Sequence, residues 1–300
     1  MSRVNLGQNP PVVFTSRTFA TAGARPAVGI ARGIASRSLG LWRTLRAARR
    51  ARFGPSAAAL RDLVAANRIL ANERIVDGYG HVSARAVENP ERFFLARAMA
   101  PGLVKASDLI EYDVDGSSVD GDSRDAYVER FLHAAIYRAR PDVGSIVHCH
   151  TPSLIPFADS TVPLRPMYHM SAFLALGAPV FEIRDVAGAP EMLVSDARIG
   201  AALADALGEA AVLLMRGHGA VIVGGSIRIA VSRSIYLDLN AKMQAEAIAL
   251  GGTVAYLDAG DMRADSVDPD DRNWAFWKQQ ALARRPPARE GRSAIRSPRD

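Results

Sequence analysis

Two apolar runs in this chain break on histidine, and those junctions limit what it can fold into more than any other feature. Ser145-Ile146-Val147-His148-Cys149-His150 reads as a buried strand with an apolar lead-in. Side chains on a strand alternate faces, so His148 and His150 are expected on one side. Two neutral imidazoles placed so can share one metal ion, at bonds of about 2.0–2.1 Å. Cys149 would point the other way, as a small buried apolar residue. The second run, residues 211–223, is interrupted by Arg216-Gly217-His218-Gly219. Flanking glycines let a backbone turn and let another segment approach closely. A third histidine there would complete a three-ligand site with an open position, the pattern of a catalytic metal centre. His-x-His alone is also compatible with one core and one exposed histidine; the second segment tips the balance toward metal.

The remaining chain reads as alternating helix and strand. Helices are expected over 57–72, over 123–140 with Ser123 as cap and Pro141 as stop, over 153–158, and over 226–250. In the last, Ser226 caps, Ile229, Tyr236, Leu239 and Met243 form the apolar stripe, and Gly251-Gly252 stop it. Residues 78–85 read as a glycine-containing turn running into a short strand, and strands are expected over 93–97 and 110–114, the last closed by a turn at Asp115-Gly116. Residues 104–108 read as a turn.

Charge separates the ends from the middle. Residues 1–55 hold ten Arg, no Lys and no acidic residue, and residues 284–300 hold six Arg against Glu290 and Asp300. With a total of +6, residues 56–283 are net acidic. The expected organisation is therefore a basic disordered extension over 1–55, one catalytic domain over 56–283, and a disordered tail over 284–300. The extension also has the composition of an organelle leader, and its stretch near Leu41–Arg52 could form a docking arm. A nucleic-acid reader would carry its basic stripe on the folded face, among aromatics, so no nucleic-acid partner is expected. No apolar run approaches the length of a membrane span, so no membrane partner is expected either. A single cysteine excludes an intrachain disulfide and suits a reducing, cytoplasmic setting.

Glu129 lies just before the His-x-His strand and shares a helical face with His133 and Tyr137. Periodicity alone favours a solvated Glu–His pair; a carboxylate that moves protons at the metal is the functional reading.

Taken together, Glu129, His148-Cys149-His150, Arg216-Gly217-His218-Gly219 and the glycine-containing Asp77-Gly78-Tyr79-Gly80-His81-Val82-Ser83-Ala84-Arg85 resemble the class II aldolase/adducin family over roughly residues 57–257. Arg138-Ala139-Arg140-Pro141-Asp142 matches its usual lead-in to the metal strand. The resemblance implies an α/β fold: three layers, α/β/α, around a central, mostly antiparallel sheet. It implies His148, His150 and His218 as ligands to one Zn²⁺ or Mn²⁺ per subunit, and Glu129 as the acid–base residue. It implies a homotetramer with active sites at subunit interfaces, which would bring Tyr256 or Trp274 near a neighbour's site.

The departures carry information too. Where sugar-phosphate members of the family use an Asn, a Thr-Gly turn and paired serines, this chain has His81, Ala98-Met99 and Tyr127-Val128. A phosphate dianion needs several donors to replace its hydration, and Ala, Met and Val supply no side-chain donor. The substrate is therefore expected to be an unphosphorylated small-molecule carboxylate. His81 is a second catalytic candidate, and Ser83, Arg97, Tyr127 and His169 are substrate-binding candidates, with Arg97 as the carboxylate clamp. The pattern Gly-His-Val-Ser followed by Arg-Ala-Met-Ala-Pro resembles the family's decarboxylase branch, which implies a lyase acting on a hydroxylated aromatic ortho-dicarboxylate. An aldolase for an unphosphorylated hydroxy-keto acid, a metallohydrolase and a silent adducin-like interaction module are the alternatives.

Overall fold

The computed structural model describes residues 54–258, 260, 261 and 271–283. The expectations for the basic extension, up to residue 53, and for the tail from 284 lie outside them. The centre is a seven-stranded sheet of β1 (His81–Arg85), β2 (Arg92–Ala96), β3 (Leu109–Asp113), β4 (Ser145–Cys149), β5 (Val180–Phe181), β6 (Val212–Met215) and β7 (Gly219–Gly224), in the order β3-β2-β1-β4-β7-β6-β5. Every pairing is antiparallel except β5 with β6.

Strand alternation makes two cores, one on each face. On one face Val82, Ala84, Val147, Cys149, Leu214 and Ile222 pack with α1 (Gly54–Asn72), α4 (Ile227–Ala249) and α5 (Asp271–Ala283). On the other, Phe93, Leu95, Ile146, Leu213 and Val221 pack with α2 (Arg130–Ala139) and α3 (Ala197–Leu207). Three layers result, as expected. Leu63, Ile69 and Leu70 of α1 are wholly buried, each burial stabilising by about 1.5–3 kcal/mol.

Helix ends mostly follow local rules. Ser226 Oγ accepts from Ile229 N at 3.3 Å and caps α4, and Asp196 does the same for α3. Such caps contribute about 1 kcal/mol. Two expectations fail. Ser123 caps nothing: α2 begins at Arg130, and Glu129 occupies its N-cap position with φ −80° and ψ 16°. Residues 123–127 are held off the helix by tertiary ties, because Ala98 N donates to Asp125 O and the Tyr127 hydroxyl bonds to Met99 O. On α4 the predicted stripe is not the buried one. Leu239 is exposed, while Ala230, Val231, Ser234, Leu237, Asp238, Ala241 and Gln244 face inward. Small and polar residues can be buried there because tertiary partners satisfy them: Ser153 Oγ donates to Asp238, and Gln244 donates to Pro163 O.

Candidate metal centre

His148 and Glu129 reach the same point from different elements. β4 puts His148 on the α2/α3 face, wholly buried, and Cys149 on the opposite face. β4 ends at Cys149, yet His150 still brings its Nε2 within 3.1 Å of His148 Nε2. The loop between β6 and β7 carries His218, whose Nε2 lies 3.1 Å from His150 Nε2. Gly217 takes φ +64°, and its N–H is held by Asp159 Oδ1 at 2.7 Å. At Gly219 a Cβ would sit 2.1 Å from Cys149 O, so only glycine lets β7 approach β4 here. Both glycines that flank His218 are therefore required, for different reasons.

The ring orientations suit ligation. Ala220 O lies 3.1 Å from His148 Nδ1, and Met192 O lies 2.8 Å from His218 Nδ1. A carbonyl only accepts, so each Nδ1 carries the proton and each Nε2 presents a lone pair. Two lone pairs aimed at one point repel unless something electrophilic lies between them. A tetrahedral ion with bonds of about 2.0–2.1 Å separates its nitrogens by roughly 3.3 Å, close to the spacing here. Glu129 Oε2 completes the cluster, 3.2 Å from His148 Nε2 and 3.6 Å from His218 Nε2. The four ligand atoms lie within 4.8 Å of one another. Glu129 Oε1 accepts from Val194 N at 3.3 Å, which fixes the carboxylate's direction.

Electrostatics keep the donors in ligating form. Burial lowers the His150 pKa to about 4, with help from His148 and His218. Burial also lowers that of His218. Metal ligands must be deprotonated, and these are neutral near pH 7. Burial pushes the Glu129 carboxyl up, and His148, His218 and His81 lower it when they carry a proton; with the imidazoles neutral, a bound cation would supply the positive charge that favours the carboxylate.

The other candidates divide. His81 pairs with His148 across β1 and β4, and its ring centroid lies 5.0 Å from that of His148 and 4.5 Å from that of Tyr127. Both therefore stand beside the cluster. Ser83 does not line an open pocket: it is wholly buried, its hydroxyl bonded to His133 Nδ1 at 2.7 Å and Tyr137 Oη at 2.8 Å. Arg97 is tied to Asp108, Nε to Oδ1 at 3.0 Å, so the carboxylate it clamps in this structure is the chain's own. His169 is exposed, with Tyr168 as its ring neighbour. Tyr256 sits under Arg165, and Trp274 is buried within its own chain. His133 was expected as the i+4 partner of Glu129, but it faces His81 and Ser83 instead. Its role was invisible to helical periodicity, because Glu129 is not in the helix. Asp159, Met192 O and Ala220 O, which orient the site, carry no local signal at all.

A family model described as the Class II Aldolase and Adducin N-terminal domain matches residues 61–245. "Decarboxylase tropJ" of Talaromyces stipitatus is 38% identical over 214 residues, 67% of this chain and 80% of that protein. "3,4-dihydroxyphthalate decarboxylase" of Arthrobacter keyseri is 31% identical over 212 residues, 65% of this chain and 81% of that protein. The crystal structure of an aldolase II superfamily protein from Pseudomonas syringae is 23% identical, covers 78% of this chain and 96% of that one, and superposes with a TM-score of 0.66, which shows the fold. Among the described residues no helix is long and apolar enough to cross a membrane.

Proposed function

The chain belongs to the class II aldolase and adducin family, and from that premise we propose that it is a metal-dependent carboxy-lyase for a hydroxylated aromatic ortho-dicarboxylate such as a dihydroxyphthalate. The observation that carries this reading is the convergence of Glu129 with three histidines in a chain whose relatives include proteins named decarboxylases. A divalent ion, Zn²⁺ or Mn²⁺, held by His148, His150 and His218 would supply Lewis acidity for the charge that develops as the C–C bond breaks. Glu129, ionised at rest, takes the proton of the substrate hydroxyl on binding. The C–C bond to the carboxylate then breaks, carbon dioxide leaves, and the electron pair stays on the ring carbon. Glu129 returns its proton to that carbon. Tyr127 and His81 would flank the aromatic ring, and Arg97, paired with Asp108, is the candidate contact for the second carboxylate.

An unphosphorylated substrate has support beyond the side chains. The N–H of Ala98 donates to Asp125 O, and that of Met99 faces the Tyr127 hydroxyl at 3.4 Å. The backbone donors of this turn are thus engaged within the chain, which leaves little to replace the hydration of a phosphate. The tetramer and a cytoplasmic location belong to the same proposal.

The test is a screen of hydroxylated phthalates and pyridine dicarboxylates for carbon dioxide release, with metal measured on the same sample. One divalent ion per chain and stoichiometric carbon dioxide are expected, both lost on chelation. An aldehyde product without carbon dioxide would replace the reading with an aldolase. Turnover that survives complete metal removal would overturn it.

A further inference from the structure

Behind His81 runs a series of hydrogen bonds that the chemistry above does not use. Tyr137 Oη lies 2.8 Å from Ser83 Oγ, Ser83 Oγ 2.7 Å from His133 Nδ1, and His133 Nε2 2.7 Å from His81 Nδ1. All four residues are buried: Tyr137 1%, Ser83 0%, His133 0% and His81 3% exposed. Burial with neighbouring His148 keeps His133 neutral, so it holds one N–H and one lone pair. The series can therefore point only one of two ways.

If His81 donated from Nδ1, His133 would donate to Ser83 and Ser83 to Tyr137. The Tyr137 hydroxyl proton would then have no acceptor among the described residues, in a buried site. If instead Tyr137 donates to Ser83, Ser83 donates to His133 Nδ1 and His133 Nε2–H donates to His81 Nδ1, the one proton left over is the Nε2–H of His81, and that nitrogen is not among the fully buried side-chain atoms that lack a partner, so water or a ligand can take it. Leaving a buried donor unpaired is costly, whereas an oxygen with a spare lone pair is not. The second polarity wins.

We propose that His133, backed by Ser83 and Tyr137, is a positioning residue that holds His81 as the Nε2–H tautomer, so that His81 offers the metal pocket a hydrogen-bond donor and no lone pair. Nδ1 of His81 is then occupied as acceptor, and Nε2 carries the proton. A ligand nitrogen must offer a lone pair. Four histidines crowd this pocket, yet His81 is excluded from coordinating, and the position opposite the three ligands stays open for substrate. The donor suits an anionic oxygen of the substrate. That consequence rests on the carboxylate-substrate reading above; the tautomer itself rests on the geometry alone.

The test is a long-range ¹H–¹⁵N spectrum of ¹⁵N-histidine-labelled full-length protein, with and without Zn²⁺, His81 being assigned by its loss in His81→Gln. An unprotonated Nδ1 and a protonated Nε2 at His81 are expected, unchanged by zinc. The opposite tautomer, or a zinc-induced shift of His81 to a ligand pattern, would overturn the proposal. In His133→Leu both tautomers of His81 should appear. With a substrate in hand, that variant should lose about 10–100-fold in kcat at nearly constant KM, and His133→Gln, whose amide can donate from the same place, should recover part of it. Equal loss in both variants, with KM rising alongside, would indicate mere packing. If His133→Leu does not fold, the wild-type spectrum still decides. Failure to find a lyase substrate would leave the tautomer result intact, and a reversed tautomer in an active enzyme would sink this inference alone.

Discussion

Strand β4 turns one chemistry toward α1 and α4 and another toward α2 and α3. Val147 and Cys149 enter an apolar core on the first side; Ile146 and His148 face the second, where His148 meets Glu129, His81 and His218. Neither side is more buried: Val147, Cys149, Ile146 and His148 are all 0% exposed. The difference lies in what each side requires of its neighbours. Apolar packing asks for volume and is non-directional. A buried imidazole asks for a donor or acceptor at a particular angle on each nitrogen. Damage on the first side should therefore appear as lost stability, and damage on the second as lost ligation or turnover in a chain that still folds.

The largest effect should come from His148→Ala. It removes a proposed ligand and a buried hydrogen-bonding group together, and metal analysis should find less than one ion per chain, with turnover abolished. Glu129→Gln keeps the shape and the three imidazoles. It should retain the metal and lose about 10²–10⁴-fold in kcat, and full turnover would remove Glu129 from the mechanism. On the opposite side, Leu63→Ala should cost about 2–5 kcal/mol in denaturant unfolding with metal content unchanged. Loss of metal in that variant would show that the two sides are not separable.

Acid should probe the directional side. His133 has its pKa pushed down to about 3 by burial, then by His148, against 6.5 for a free imidazole. Below pH 6.5 the unfolded chain takes up a proton that the folded chain refuses, so stability is lost as pH falls from 6.5 toward 3. Metal-free protein should melt progressively lower over that window. His133→Leu should flatten the slope by up to one proton, about 1.4 kcal/mol per pH unit. An unchanged slope would mean that His133 is accessible to protons in the folded state. The smallest effect belongs to Cys149→Ala, between His148 and His150 in sequence but on the face opposite His148. It should cost about 1 kcal/mol and leave metal content and turnover alone.

Much of the site was legible in advance because it is written at short range. A strand's alternation put His148 and Cys149 on opposite faces, and the glycines around His218 marked a turn and a close approach, which Gly217 and Gly219 display. The Ser226 cap was equally accessible, whereas the mostly antiparallel sheet came only with the family resemblance. Glu129 needed the family resemblance, since its helical spacing to His133 suggested a partner it does not have. The pairing of Arg97 was hidden for a related reason. A lone guanidinium in a pocket motif looks available until a turn of eleven residues brings Asp108 onto it.

By itself, then, the sequence determined which side chains leave each strand on the same side, where helix α4 can start, and that three histidines could converge. Those follow from local geometry with periods of 2.0 and 3.6 residues. Only the tertiary structure decided what stands behind them. Ser83 and Tyr137 are 54 residues apart, His81 and His133 52 apart, and Met192 O and His218 26 apart. The antiparallel register of β1 on β4 and the packing of α2 against it choose these partners. A hydrogen bond needs its two atoms within a few tenths of an ångström of the right place, and no spacing along the chain encodes that.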